Sequence, residues 1–130
     1  MRYVLVCLLA LGFGAFPSAI AAKAASIAGS WKGNGTARLT SGRVERIRCR
    51  IHYEQGSGKT IVLHVTCAHT NGTFEVSGRI VKLSNSYYSG RLYSDQYSVA
   101  GDVSISVSGN RQSLMAKSSK GSATVILTKQ

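Results

Sequence analysis

The alternation in RIRCRIHY, residues 46–53, constrains this chain more than any other stretch. Successive side chains of an extended strand point to opposite sides, so Ile47, Cys49, Ile51 and Tyr53 share one face while Arg46, Arg48, Arg50 and His52 share the other. A second alternating run follows, in which Ile61, Leu63, Val65 and Cys67 stand opposite Val62, His64 and Thr66. Folding the chain antiparallel about Ser57-Gly58 puts Cys49 directly across from Cys67. Cysteines that face each other on neighbouring strands are close enough to bridge. The same register sets Leu63 beside Tyr53, Val65 beside Ile51 and His64 beside His52.

The intervening EQGSGKT ends like a phosphate-binding loop, but that reading fails. The first glycine of such a loop falls at position 53, which is Tyr53, and the residues after Thr60 form a strand where the phosphate needs a helix N-terminus. Glycines and an exposed Lys59 suit a hairpin turn instead.

Upstream, IAGSWKGNGTARL alternates in the same way, with Ile27, Trp31, Ala37 and Leu39 expected inward and Lys32, Asn34, Thr36 and Arg38 outward. Thr40-Ser41-Gly42 then turns this glycine-rich strand into the cysteine hairpin. Further strands are expected near 73–83, 88–93, 97–107, 112–117 and 122–128. The clearest runs Val99, Gly101, Val103, Ile105, Val107 on one face. No segment has helical periodicity, and the one proline, Pro17, precedes all the strands. About eight short strands joined by tight turns predict an all-β fold, a small antiparallel up-and-down barrel or related sandwich. Its interior is filled by side chains or holds one small ligand.

The N-terminus reads as a secretory signal peptide over residues 1–22, ahead of a single domain at 23–130. Its apolar run, Val4 to about Phe16, is too short for a spanning helix, and Ala19 and Ala21 occupy the positions a signal peptidase reads. A soluble periplasmic or secreted product is expected, with no membrane span. Two cysteines then remain in an oxidising compartment, which favours a Cys49–Cys67 disulfide over two free thiols or a zinc site.

The formal net charge is +11, from 16 Lys and Arg against 5 Asp and Glu. Only Arg2 of the cations falls within the leader, so acidic partners are expected: lipopolysaccharide or another anionic envelope component, with nucleic acid behind these. Arg46, Arg48 and Arg50 stand in a row on one strand, roughly 6.5–7 Å apart, with Arg38, Lys32 and His52 expected nearby. Guanidinium groups on a rigid sheet suit phosphate or sulfate; the alternative is a solvated face, as in a structural envelope protein of no ligand. For catalysis the inventory is poor. The carboxylates Glu45, Glu54, Glu75, Asp95 and Asp102 lie on separate elements, and G-x-S-x-G, S-x-x-K and H-E-x-x-H are absent from the sequence. No enzyme and no cofactor is expected. His52 and His64 could share a metal ion across two strands, but no third ligand follows from the pattern. His69 is expected in the turn after its strand, and Tyr87, Tyr88, Tyr93 and Tyr97 around one turn.

Gly29-Ser30-Trp31 resembles the G-x-W that opens calycin barrels such as lipocalins and avidins. That resemblance implies that Trp31 plugs one end of the barrel and that a basic residue of the last strand, here Lys129, packs over its ring. The chain is also similar to small exported bacterial proteins. SGRLY, from Ser89, and SKGSA, from Ser119, resemble the S-G-x-x-Y and K-G-x-x-A elements of periplasmic inhibitors of C-type lysozyme. That alternative implies lysozyme as the partner, with Ser89, Tyr93 and Lys120 as the inhibitory residues.

Overall fold

A computed structural model of the chain describes Gly14 and residues 27–130; the expected signal peptide and its boundary lie outside the described residues. Eight strands follow in order: β1 Gly29–Leu39, β2 Val44–Gln55, β3 Thr60–His69, β4 Gly72–Ser84, β5 Tyr87–Ser94, β6 Val99–Ser108, β7 Arg111–Ser118 and β8 Gly121–Lys129. Each pairs antiparallel with its sequence neighbours, and β1 pairs with β8 to close an up-and-down barrel. The all-β, eight-stranded architecture is thus the one the sequence pattern predicts, with strand ends differing by a residue or two.

The alternation sets which face lies inside. The β2 burial pattern is strictly periodic from Arg46 to Glu54, with the arginines exposed and Ile47, Cys49, Ile51 and Tyr53 buried. Trp31, Ile51, Leu63, Ile105 and Leu127 are fully buried, each stabilising the fold by about 1.5–3 kcal/mol on transfer from water. The β2–β3 register matches the sequence reading residue for residue, Cys49 facing Cys67, Tyr53 facing Leu63 and His52 facing His64. The cysteines form a disulfide inside the barrel, Cα to Cα 4.1 Å. With apolar groups within and arginines outside, the barrel has the polarity of one surrounded by water, the inverse of a lipid-embedded barrel.

Closure brings the backbones of β1 and β8 close together. A methyl group at Gly33 would overlap the Ile126 carbonyl, and one at Gly35 the Thr124 carbonyl. These inward positions hold glycine because the neighbouring backbone occupies the space of a side chain.

Three details differ from expectation. Leu39 is 38% exposed rather than buried, because it is the last residue of β1, paired with Gly121 at the rim of the far end, and the chain turns immediately after it, with Gly42 N–H donating to the Leu39 carbonyl. The tyrosines do not gather at one turn. Tyr87 and Tyr88 begin β5 and Tyr93 lies next to its last residue, with Tyr97 beyond, and of the four Tyr88 alone is buried. His69 is the last residue of β3 rather than a turn residue, tilted against Phe74.

The two barrel ends are unlike. The end carrying the start of β1 and the end of β8 is sealed by Ile27, Trp31, Tyr53 and Gln112, all 3% exposed or less. The far end carries the turns at 40–43, 70–71, 95–98 and 119–120. Its inward residues Ala37, Phe74, Val76, Ala116 and Ala123 are only partly buried.

Candidate functional site

The basic face is assembled by the pairing of β1 with β2. Register sets Lys32 opposite Arg50, Asn34 opposite Arg48, Thr36 opposite Arg46 and Arg38 opposite Val44, and all four outward residues of β1 are exposed. The five cations named from sequence, Arg46, Arg48, Arg50, Arg38 and Lys32, therefore share one continuous outer surface. Ion pairs among the described residues join Arg43 to Glu45, His52 to Glu54, His69 to Glu45 and Arg91 to Asp102; none reaches those five. Their charge is left to solvent or to a ligand.

Within this face lies a groove lined by Asn34, Gly35, Thr36, Arg46, Ile47, Arg48, Ala68 and His69. Ala68 faces Arg48 across the β2–β3 ladder, so a small side chain leaves the arginine open on that flank. The polar groups at the rim include two guanidiniums, an amide and a hydroxyl, and the groove contains no carboxylate. Such a donor set fits a phosphate or sulfate oxyanion, which offers only acceptors. Asn34 and Thr36 were expected only as outward residues of the first strand, and Ala68 was not singled out. Their signal lay in the β1–β2 register, which a turn centred on Ser41 implies, and for Ala68 in the β2–β3 register. A second groove, lined in part by Arg79, Ser89 and Arg91, is less cationic because Arg91 is tied to Asp102 at 2.8 Å.

His52 and His64 do face each other. Both ring nitrogens of His52 have protein neighbours, Ser30 Oγ at 3.1 Å from Nδ1 and Glu54 at 3.4 Å from Nε2. No group of three or more His, Cys, Asp or Glu side chains among the described residues is arranged to hold a metal ion.

Trp31 is fully buried at the sealed end, its indole N–H donating to the Ile27 carbonyl at 2.9 Å. Lys129 of β8 is its strand partner and places Nζ 5.8 Å from the ring centroid, a cation–π arrangement. The geometry that the G-x-W resemblance implied is therefore present. Beneath the tryptophan, Tyr53 donates to Gln112 Oε1, and Gln112 Nε2 is buried without a partner among the described residues. Burial pushes the Tyr53 phenol far above its ordinary value, and the neighbouring Tyr88 adds slightly to the rise. Burial raises Tyr88 as well.

Ser89, Tyr93 and Lys120 are not brought together. Ser89 is half-buried in β5 opposite Val81, Tyr93 lies toward the other end of that strand, and Lys120 is in the β7–β8 turn with β6 intervening.

Sheet closure, an apolar interior and a tryptophan covered by a last-strand lysine make this a closed eight-stranded up-and-down barrel, similar in fold to the calycin type. No protein-family model and no curated protein matches the sequence. Solved structures resemble it in fold. A redesigned β-barrel superimposes with a TM-score of 0.66 at 14% identity, over 82% of this chain and 94% of its own. A second, mFAP1 bound to DFHBI, gives 0.65 at 13% identity over 78% and 94%. A de novo designed fluorescence-activating barrel gives 0.60 at 17% over 79% and 93%. At such identities the likeness is one of fold.

Proposed function

We propose that the protein is an exported, non-enzymatic binding protein that holds an anionic cell-envelope component on the β1–β2 face. The observation that carries this reading is the run of Lys32, Arg50, Arg48, Arg46 and Arg38 without a carboxylate partner, around a groove rimmed by hydrogen-bond donors. A disulfide inside the barrel fits an oxidising compartment. The test is binding of the mature, oxidised protein to lipopolysaccharide and to heparin across a salt series, beside the Arg46→Ala/Arg48→Ala/Arg50→Ala variant. The expected result is affinity that falls steeply with salt and is lost in the folded variant. Equal binding by both proteins, or by neither, refutes the reading.

A second reading rests on Gln112. A buried amide donor with no partner, inside a barrel, suits a small ligand carrying an acceptor, and a barrel of similar fold is bound to DFHBI. Quenching of Trp31 fluorescence by small apolar ligands with an acceptor group supports it; an unchanged spectrum across such a panel counts against it.

A further inference from the structure

The row of cations runs toward the far end of the barrel, where the β1–β2 turn carries two apolar side chains that the core does not use. Leu39 is 38% exposed and Val44 53% exposed. The turn is held by Leu39 N–H to the Arg43 carbonyl at 2.8 Å and Gly42 N–H to the Leu39 carbonyl at 2.9 Å. The neighbouring β7–β8 turn is tied to it, since Thr40 N–H reaches the Lys120 carbonyl at 3.3 Å. Both aliphatics are therefore ringed by cations. Arg38 is the strand partner of Val44, Arg46 follows along the face, Lys120 adjoins Leu39, and Lys117 lies opposite Ser122, the β8 partner of Arg38, with Asp102 on its other side already held by Arg91. Arg43 adds a fifth positive group, and the acid beside it, Glu45, is mostly buried and already held by Arg43 and His69. Leu39 and Val44 thus flank one turn within this cationic end. A soluble polyanion engages the arginines and leaves those aliphatics in water.

We infer that this end of the barrel docks on the anionic surface of a lipid bilayer, with Leu39 and Val44 entering the interfacial layer and Arg38, Arg46, Lys117 and Lys120 lying against headgroup phosphates. Anionic bilayers attract clustered Lys and Arg through their surface potential, and shallowly inserted aliphatics add apolar burial that a free phosphate cannot supply. The inference rests on the polyanion reading above and names the bilayer as the form in which the anion is met.

The experiment is sedimentation of the mature, oxidised protein with vesicles of phosphatidylglycerol mixed into phosphatidylcholine and with vesicles of phosphatidylcholine alone, and heparin affinity measured in parallel. The variants are Leu39→Ser/Val44→Ser and Arg38→Gln/Lys120→Gln, all at exposed positions, with far-UV circular dichroism verifying the barrel. The wild type is expected to bind the mixed vesicles and not the neutral ones. The aliphatic variant is expected to lose about tenfold or more in vesicle affinity while keeping its heparin affinity. The cation variant should weaken on vesicles too. Heparin binding without vesicle binding, or an aliphatic variant that binds vesicles as the wild type does, overturns the inference and leaves the polyanion reading standing. Failure to bind either overturns both.

Discussion

Replacing the buried Tyr53–Gln112 pair gives the most direct check on the sealed end of the barrel. Both side chains are 1% exposed, one hydrogen bond joins them, and Gln112 Nε2 has no acceptor among the described residues. A buried donor left unpaired costs about 1–3 kcal/mol, whereas a satisfied hydrogen bond contributes about 1 kcal/mol net. Tyr53→Phe removes the bond and strands Gln112 Oε1 beside the already unpaired nitrogen, so it should destabilise by about 2 kcal/mol, or about 10 °C in Tm for a domain of this size. Gln112→Leu has similar volume and removes one unpaired group while creating another on Tyr53, so its stability should lie within about 1 kcal/mol of wild type. The double variant removes every polar atom concerned and should match or exceed the wild type. Urea unfolding of the oxidised protein, followed by the fluorescence of Trp31 as the sole tryptophan, measures all four states of the cycle. A Tyr53→Phe variant of unchanged stability, or a double variant less stable than wild type by more than about 1 kcal/mol, refutes this account of the interior.

Reduction of the Cys49–Cys67 bridge, which spans 18 residues, should lower unfolding free energy by about 3 kcal/mol through the regained entropy of the open chain. Urea midpoints with and without dithiothreitol measure it, and a loss under about 1 kcal/mol refutes the loop-closure reasoning. The buried Tyr53 phenol ionises in the unfolded chain near its ordinary value of 10.0 but not in the barrel. Its contribution is thus complete below that pH and declines above it by about 1.4 kcal/mol per pH unit. Tyr53→Phe should flatten the alkaline loss of stability, leaving the part due to Tyr88; an identical pH profile counts against burial as the cause.

The most legible parts of the fold were those in which side-chain type and geometry coincide. Cys49 and Cys67 are symmetric about Gly58, so one turn fixed the whole β2–β3 register, and the arginine row needed only the pleat. Leu39 misled because alternation runs to the last residue of β1, at the rim of the barrel, where an inward-phase side chain is no longer covered. The tyrosines misled for a different reason: positions close in sequence lie far apart along an extended strand, at roughly 3.3 Å per residue. Within the candidate site, the arginines were readable but their groove was not. The groove depends on Asn34, Thr36 and Ala68 from flanking strands, whose residue types carry no signal until both registers are set. Gln112 continues the inward alternation with Leu114 and Ala116, yet nothing in that pattern announces a polar group in a dry interior.

Seven of the eight strand pairings are hairpins between neighbours, and only β1 with β8 joins distant parts of the chain. Folding can therefore zip locally from turn to turn, while the loop-closure entropy of nearly the whole domain falls on this last seam. Until the seam forms, β1 and β8 are open edges ready to recruit another chain. The same Lys32 and Arg38 that extend the basic face then stand along the unpaired β1, repelling a second copy during the interval in which the ring is incomplete.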